Sequence, residues 1–223
     1  ICKDNKIEFL YVENINNNSA YEFVQKLCPD MGFCLGWSQL LGKKILSMFP
    51  KGVIGFHPAA LPQNKGRHPL IWALVLGLQE TASSFFLLDE YADTGKVISQ
   101  KKIPILYEDN ARTLYDKVMV VAKEQLVELW IQICNDNIHF IKSCSQGNIW
   151  RKRNENDGKI DWRMSSKNIY NLVRALSKPY VGASFEYNKI EYKVWKVREL
   201  DDIGNENIEP GKILKVSKIN TFI

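Results

Sequence analysis

The stretch from Val53 to Gly95 constrains the fold more than any other part of the chain. An apolar strand, Val53-Ile54-Gly55-Phe56, ends at His57-Pro58, and Leu61-Pro62 and Gly66 mark turns. Pro69 then suits the first turn of a helix that reaches Leu78, because its missing N–H would be unbonded there in any case. Leu70, Ile71, Ala73, Leu74 and Leu76 leave that helix little polar face, so it should be buried. Ala82 to Leu88 and Lys96 to Ile105 read as two further strands, with Asp93-Thr94-Gly95 as the turn between them. Apolar strands alternating with helices as far as about residue 135 indicate an α/β layer with mostly parallel pairing.

The flanking segments extend this pattern. Ile7 to Val12 reads as a strand, and Asn14, Asn16, Asn17 and Asn18 form a polar loop. Ser19 to Glu22 has the form of a capping box opening a helix that runs to about Leu27. Met31 to Gly36 is a short buried strand by its apolar run and bounding glycines, and Ser38 is placed to cap a helix through Met48. A long amphipathic helix starts at Asp109 or Thr113, with Leu114, Val118, Val121, Leu126, Leu129 and Ile133 near helical spacing. After Cys144 the chain turns polar and basic. Ser165 to Leu176 reads as one more helix, and from Ser184 apolar residues alternate between turns, the pattern of a small β-barrel-like appendage. The expected organisation is a catalytic domain over residues 1–142, a linker over 143–160 and a smaller domain over 161–223. The chain begins at Ile1 rather than Met and ends at Thr221-Phe222-Ile223 in what reads as a strand, so a fragment, with first strands absent and the last domain cut short, is expected.

Composition narrows the classes of function. With 223 residues the chain can bury a real core, and its 45% hydrophobic and 25% charged residues are ordinary for a globular protein. A net charge of +5 suits anionic ligands and falls short of a nucleic-acid footprint. The cysteines (Cys2, Cys28, Cys34, Cys134, Cys144) form no zinc spacing and no disulfide framework, so buried thiols in a reducing, cytoplasmic setting are expected. No apolar run approaches the roughly 20 residues that span a bilayer.

A histidine leaving a buried strand and a carboxylate on a later loop are the parts needed for proton transfer at one acyl centre. Imidazole titrates near working pH, and strand ends are where open α/β sheets hold their functional groups. Each residue alone has a plain structural reading: His57 as a strand cap, Asp93 as an Asx turn. Asp89 and Glu90 are rival carboxylates, and spacing does not rank the three. His139, after the long helix, reads as structural.

The combination resembles the folate-dependent formyltransferases. His57-Pro58-Ala59-Ala60-Leu61-Pro62, Lys65-Gly66-Arg67-His68-Pro69 and Trp72-Ala73 are similar to that family's central segment. Glu80-Thr81-Ala82 and Asp89 to Gly95 are similar to the segment that follows. Trp150 to Arg153, Asp157-Gly158, Ile160-Asp161-Trp162 and Arg174-Ala175-Leu176 resemble the start of the C-terminal domain of methionyl-tRNA formyltransferases and related enzymes. The match runs in consistent order over about residues 30 to 185. It implies a Rossmann-like formyltransferase domain, 10-formyltetrahydrofolate as co-substrate and no metal. It also implies His57 as catalytic acid or base with Asp93 as its partner. The folate would lie along Leu35-Gly36-Trp37 and along Asp89-Glu90-Tyr91-Ala92, which border the pterin.

One departure stands out. The family carries an asparagine two residues before the histidine, where its amide steadies the formyl oxygen; here that position is Gly55. Loss of one such donor costs on the order of 100- to 1,000-fold in rate. Asn64, Arg67 or His68 is expected to substitute for it or to bind the acceptor. Backbone N–H groups near Gly55 are a second route, and a folate-binding homologue with impaired catalysis is a third reading. A hydrolase releasing formate is a rival activity. Acceptors in the family are amines of methionyl-tRNA, of amino-sugar nucleotides and of glycinamide ribonucleotide. The Gly66-Arg67-His68-Pro69 turn favours an amino-sugar nucleotide or a similar small amine over tRNA. A homodimer is compatible with the family, and no membrane partner is expected.

Overall fold

The structure, a computed structural model, describes residues 2–142, 146–200, 208–216 and 221–222. The chain separates into two compact units, one of residues 1–66, 82–103 and 118–150, the other of 67–81, 104–117 and 151–223.

The first unit is built on a four-stranded sheet. Its strands are β1 (Gly32–Cys34), β2 (Val53–His57), β4 (Glu80–Leu87) and β5 (Val97–Pro104), adjacent in that order. β1 and β2 are parallel, with Cys34 opposite Gly55, whereas β2 and β4 are antiparallel, with His57 opposite Ser84. The α/β architecture is thus the expected one, with both senses of pairing in one sheet. Helix α3 (Pro69–Val75) lies between β2 and β4 in the sequence.

Alternation along the strands sends successive side chains to opposite faces. Ile54, Phe85 and Ile98 pack with Ala122 and Leu129 of the long helix α4 (Ala111–Cys134) on one face. Leu61, Phe86 and Val97 form a second cluster, against which Leu88 packs. Gln125 lies fully buried on α4, where its amide donates to Ser99 Oγ (2.8 Å) and Ser83 O (3.3 Å).

Local chemistry corrects several expectations. Residues 7–12 are not a strand. They have no ladder partner among the described residues, Tyr11 is 90% exposed, and Phe9 sits edge-on to Tyr11 instead. β-propensity without a neighbouring strand does not make a strand. The helix expected from Ser38 shrinks to α2 (Lys43–Leu46). Asn16 Oδ1 takes the Gly42 N–H, Asn16 Nδ2 donates to Leu40 O, and Gln39 bonds Ile15 and Glu13, so side chains of the asparagine-rich loop hold 39–42 out of a helix. Helix α1 (Asn18–Leu27) is capped by Asn17, whose side chain accepts from Ala20 N, and not by Ser19. The described cysteines are free but not buried: Cys28 and Cys134 are exposed, Cys2 and Cys34 half-buried. Burial raises the Cys34 thiol pKa. Cys144 lies outside the described residues.

In the second unit α3 packs on α5 (Ser166–Ala175), which Ser165 caps by accepting from Asn168 N. Gly77 lets the turn after α3 approach the Asn171 amide, where a Cβ would stand 2.8 Å from Nδ2. Arg174 donates to the carbonyls of Leu106, Tyr107 and Asp109, and Tyr107 stacks on Tyr170 with centroids 4.5 Å apart. Strands β7 (Ala183–Tyr187) and β8 (Ile190–Val194) form a hairpin, and β9 (Lys215–Val216) pairs with β10 (Thr221–Phe222). Among the described residues these strands pair two by two and do not close into a barrel.

Asp109, in this unit, lies two residues before the long helix α4. Its buried carboxylate accepts from Leu106 N, Thr113 Oγ1 and Lys117 Nζ. Burial opposes ionisation, but these donors win and lower its pKa. A depressed folded-state pKa contributes stability above the unfolded value near 4, and that stability is lost as pH falls through the folded value. Asp109→Ala is therefore expected to cost roughly 1–3 kcal/mol at pH 7. In urea unfolding the deficit should narrow at pH 3.

Candidate active site

β2 delivers His57 to the C-terminal edge of the sheet, where it is 5% exposed. The ring is held between two acceptors. Nε2 lies 2.9 Å from Asn64 O, and Nδ1 lies 3.5 Å from Asp93 Oδ2. A carbonyl can only accept, so Nε2 carries a proton and donates it to Asn64. Nδ1 then faces the Asp93 carboxylate.

Asp93 is positioned by its own loop. It adopts a left-handed backbone, φ 57°, which Asp tolerates better than most residues. Its Oδ2 also accepts the Gly66 N–H at 2.9 Å, which ties it to the two-residue strand β3 (Lys65–Gly66). Asp89, the rival carboxylate, is occupied in shaping the loop, accepting from Tyr91 N (3.0 Å) and Thr94 Oγ1 (2.6 Å). Glu90 is an exposed partner of Lys43. Gly95 closes the turn where a Cβ would stand 1.6 Å from Leu87 O, so the glycine of Asp93-Thr94-Gly95 is required by close backbone approach.

Two residues that sequence reasoning passed over secure the loop after His57. Ser84, the register partner of His57, donates to Ala59 O at 2.6 Å, and Gln100 donates to Ser84 Oγ and to Leu61 O. Their signal in the sequence was polarity inside otherwise apolar strands.

The expected folate-lining residues fall into two loops of this unit. Leu35, Gly36 and Trp37 follow β1 where its end lies beside β2, with Leu35 and Trp37 about half exposed and Gly36 at φ 67°. Asp89 to Ala92 form the loop that leads to Asp93, and Tyr91 is 72% exposed. Asn64 sits against His57 through its carbonyl. Arg67 and His68 belong to the second unit. There His68 Nδ1 accepts from Arg153 N, and burial together with Arg67, Arg153 and Lys152 lowers the His68 pKa. Arg151 and Arg153 stack over Trp72, and Arg151 pairs with Asp157.

Gly55 lies on the same face of β2 as His57. A Cβ placed there would meet Leu88 Cδ2 at 2.5 Å and Phe86 Cζ at 3.1 Å. The space that a side chain at 55 would enter is thus filled by Leu88. Among the described residues no group of three His, Cys, Asp or Glu side chains gathers to hold a metal.

Residues 7–129 match the family model described as formyl transferase, and residues 152–223 match the formyl transferase C-terminal domain. This chain belongs to the folate-dependent formyltransferase family. It is 32% identical over 217 residues to the bifunctional polymyxin resistance protein ArnA of Wigglesworthia glossinidia brevipalpis. That match takes in 96% of this chain but only 32% of the relative's length. Two solved structures share its fold. A 4-N formyltransferase from Francisella tularensis aligns with TM-score 0.74 and 22% identity, over 91% of this chain and 81% of that one. WlaRD, a sugar 3N-formyl transferase solved in the presence of dTDP and 5-N-formyl-THF, aligns with TM-score 0.64 and 21% identity, over 78% and 60%.

Restoring an asparagine at position 55 should overpack this face. Gly55→Asn is expected to cost about 1–3 kcal/mol. Much of that loss should return in Gly55→Asn/Leu88→Ala, as read from thermal or urea unfolding of both variants.

Proposed function

We propose that this protein transfers a formyl group from 10-formyltetrahydrofolate to the primary amine of a small acceptor, an amino-sugar nucleotide being the best-supported class. The observation that carries the reading is the His57–Asp93 pair at the end of β2, with Nδ1 3.5 Å from the carboxylate. The Francisella relative is named a 4-N formyltransferase and WlaRD a sugar 3N-formyl transferase, which supports a sugar amine as acceptor. The folate donor supplies a formyl carbon on nitrogen.

What the chain's own residues do follows from acid–base chemistry. An attacking amine must lose a proton and the departing folate nitrogen must gain one. His57 takes the first and returns it to the second. Asp93 stabilises the ring while it is charged, and the Gly66 N–H keeps that carboxylate in place. Burial of His57 strengthens the Asp93 interaction by excluding water. Leu35 to Trp37 and Asp89 to Ala92 are assigned to the folate. With Leu88 filling the space at Gly55, a side-chain amide does not serve the formyl oxygen from position 55. The same observation favours one second reading, a folate-binding homologue with little turnover.

The test is tetrahydrofolate release from 10-formyltetrahydrofolate by the full-length protein, with a 4-amino-sugar nucleotide and Met-tRNA as separate acceptors. Release that depends on the sugar nucleotide is expected, and His57→Ala should lower kcat roughly 100- to 10,000-fold. Asp93→Ala should cost a comparable amount. Folate binding without release from either amine would replace this reading with the second one.

A further inference from the structure

The segment Gln146 to Trp150 reaches His57 through Asn64. Its last two residues, Ile149–Trp150, form β6, which pairs in parallel with β3. Ahead of that ladder Asn148 grips two successive N–H groups of the loop. Its side-chain Oδ1 accepts from Asn64 N at 2.8 Å, and its carbonyl accepts from Lys65 N at 3.1 Å. Lys65 is buried and returns the contact, donating from Nζ to Gln146 O at 3.0 Å. Gly147, at φ 68°, passes so close to Pro62 that a Cβ there would stand 1.7 Å from Pro62 O. Gly66 approaches Trp150 O in the same way, with a hypothetical Cβ at 2.2 Å.

Asn64 is the residue on which these contacts converge. Its backbone is left-handed, φ 63°, a region that asparagine enters more readily than most residues and in which the Asn148 contact holds it here. That conformation has one evident consequence: the Asn64 carbonyl accepts from His57 Nε2 and fixes which ring nitrogen faces Asp93. The N–H of the same residue is the one that Asn148 holds.

We infer that Asn148 is a positioning residue for His57, acting through Asn64, and that Gln146–Trp150 is a strap that orients the imidazole. The inference rests on the proposed role of His57. Without the Asn148 acceptor, the Asn64 peptide is free to leave the left-handed region, its carbonyl releases Nε2, and the ring samples both tautomers. Misplacement of about 1 Å at a reacting group costs up to ~100-fold in rate.

The experiment measures the ring nitrogens of His57 by 15N NMR in the full chain, which has three histidines in all, alongside steady-state kinetics. In the unsubstituted protein near neutral pH the His57 signals should be those of a ring protonated at Nε2. Asn148→Ala should convert them to a mixture of tautomers and lower kcat ~10- to 100-fold, with KM for folate and amine near their original values. Asn148→Asp keeps an oxygen acceptor for the Asn64 N–H and should restore both the spectrum and most of kcat. A His57 spectrum unchanged in Asn148→Ala overturns the inference. So does an Asn148→Asp variant that behaves like a substitution without an acceptor, and this second variant decides the matter if Asn148→Ala does not fold. The spectrum is scored without turnover, so a protein that transfers no formyl group refutes the proposed function and leaves this test standing.

Discussion

The contact on which the candidate site depends is the Asp93 carboxylate meeting the Gly66 N–H while it faces His57. One oxygen joins three segments: the end of β2, the short β3 that follows it, and the more distant turn after β4. Each is held in turn by backbone geometry that admits little else. Gly95 lets the Asp93 turn close on Leu87 O, and Gly66 lets β3 close on Trp150 O. Buried Ser84 and half-buried Gln100 fix the peptide after His57, so the pair is supported from both sheet and loop. A charge-assisted hydrogen bond in such a partly buried place is worth more than its surface equivalent. The glycines are what allow it to form.

The face of the sheet beside His57 is apolar at the position where the family resemblance calls for an amide. Leu88 fills the space over Gly55 and packs with Leu61, Phe86 and Val97. A missing side chain and a neighbour that fills its space together make one consistent solution, because an empty cavity there would cost packing energy. Gly55 is therefore better read jointly with Leu88 than as a lost donor alone. Position 55 and Leu88 are where this chain departs from the family resemblance.

Much of this was legible in the sequence where residue type and close backbone approach coincide. His57 at a strand exit and the Asp93-Thr94-Gly95 turn could be read because strand apolarity and turn glycine both leave local marks. Spacing alone did not separate Asp93 from Asp89 and Glu90; geometry does, since Asp93 faces His57 while Asp89 Oδ1 accepts from both Tyr91 and Thr94. The Asn148 strap was hidden, because a polar, basic stretch reads as solvated and its partner lies 84 residues away. Ile7 to Val12 failed for the opposite reason: its composition suits a strand, but pairing is a property of neighbours. The Ser38 helix was outcompeted by Asn16 and Gln39, side chains whose targets no local pattern shows. Arg174, by contrast, is marked by its motif, and its three carbonyl partners explain why arginine is suited to that place.

The central claim is that His57 and Asp93 work as one unit, and a kinetic double-substitution cycle tests it most directly. The measurement is kcat/KM for formyl transfer in His57→Ala, Asp93→Ala and the double variant. Residues that act together are strongly non-additive, so the double variant should be little worse than either single one. Losses that simply multiply would mean that the two side chains act independently, and the pairing seen here would not be the catalytic element.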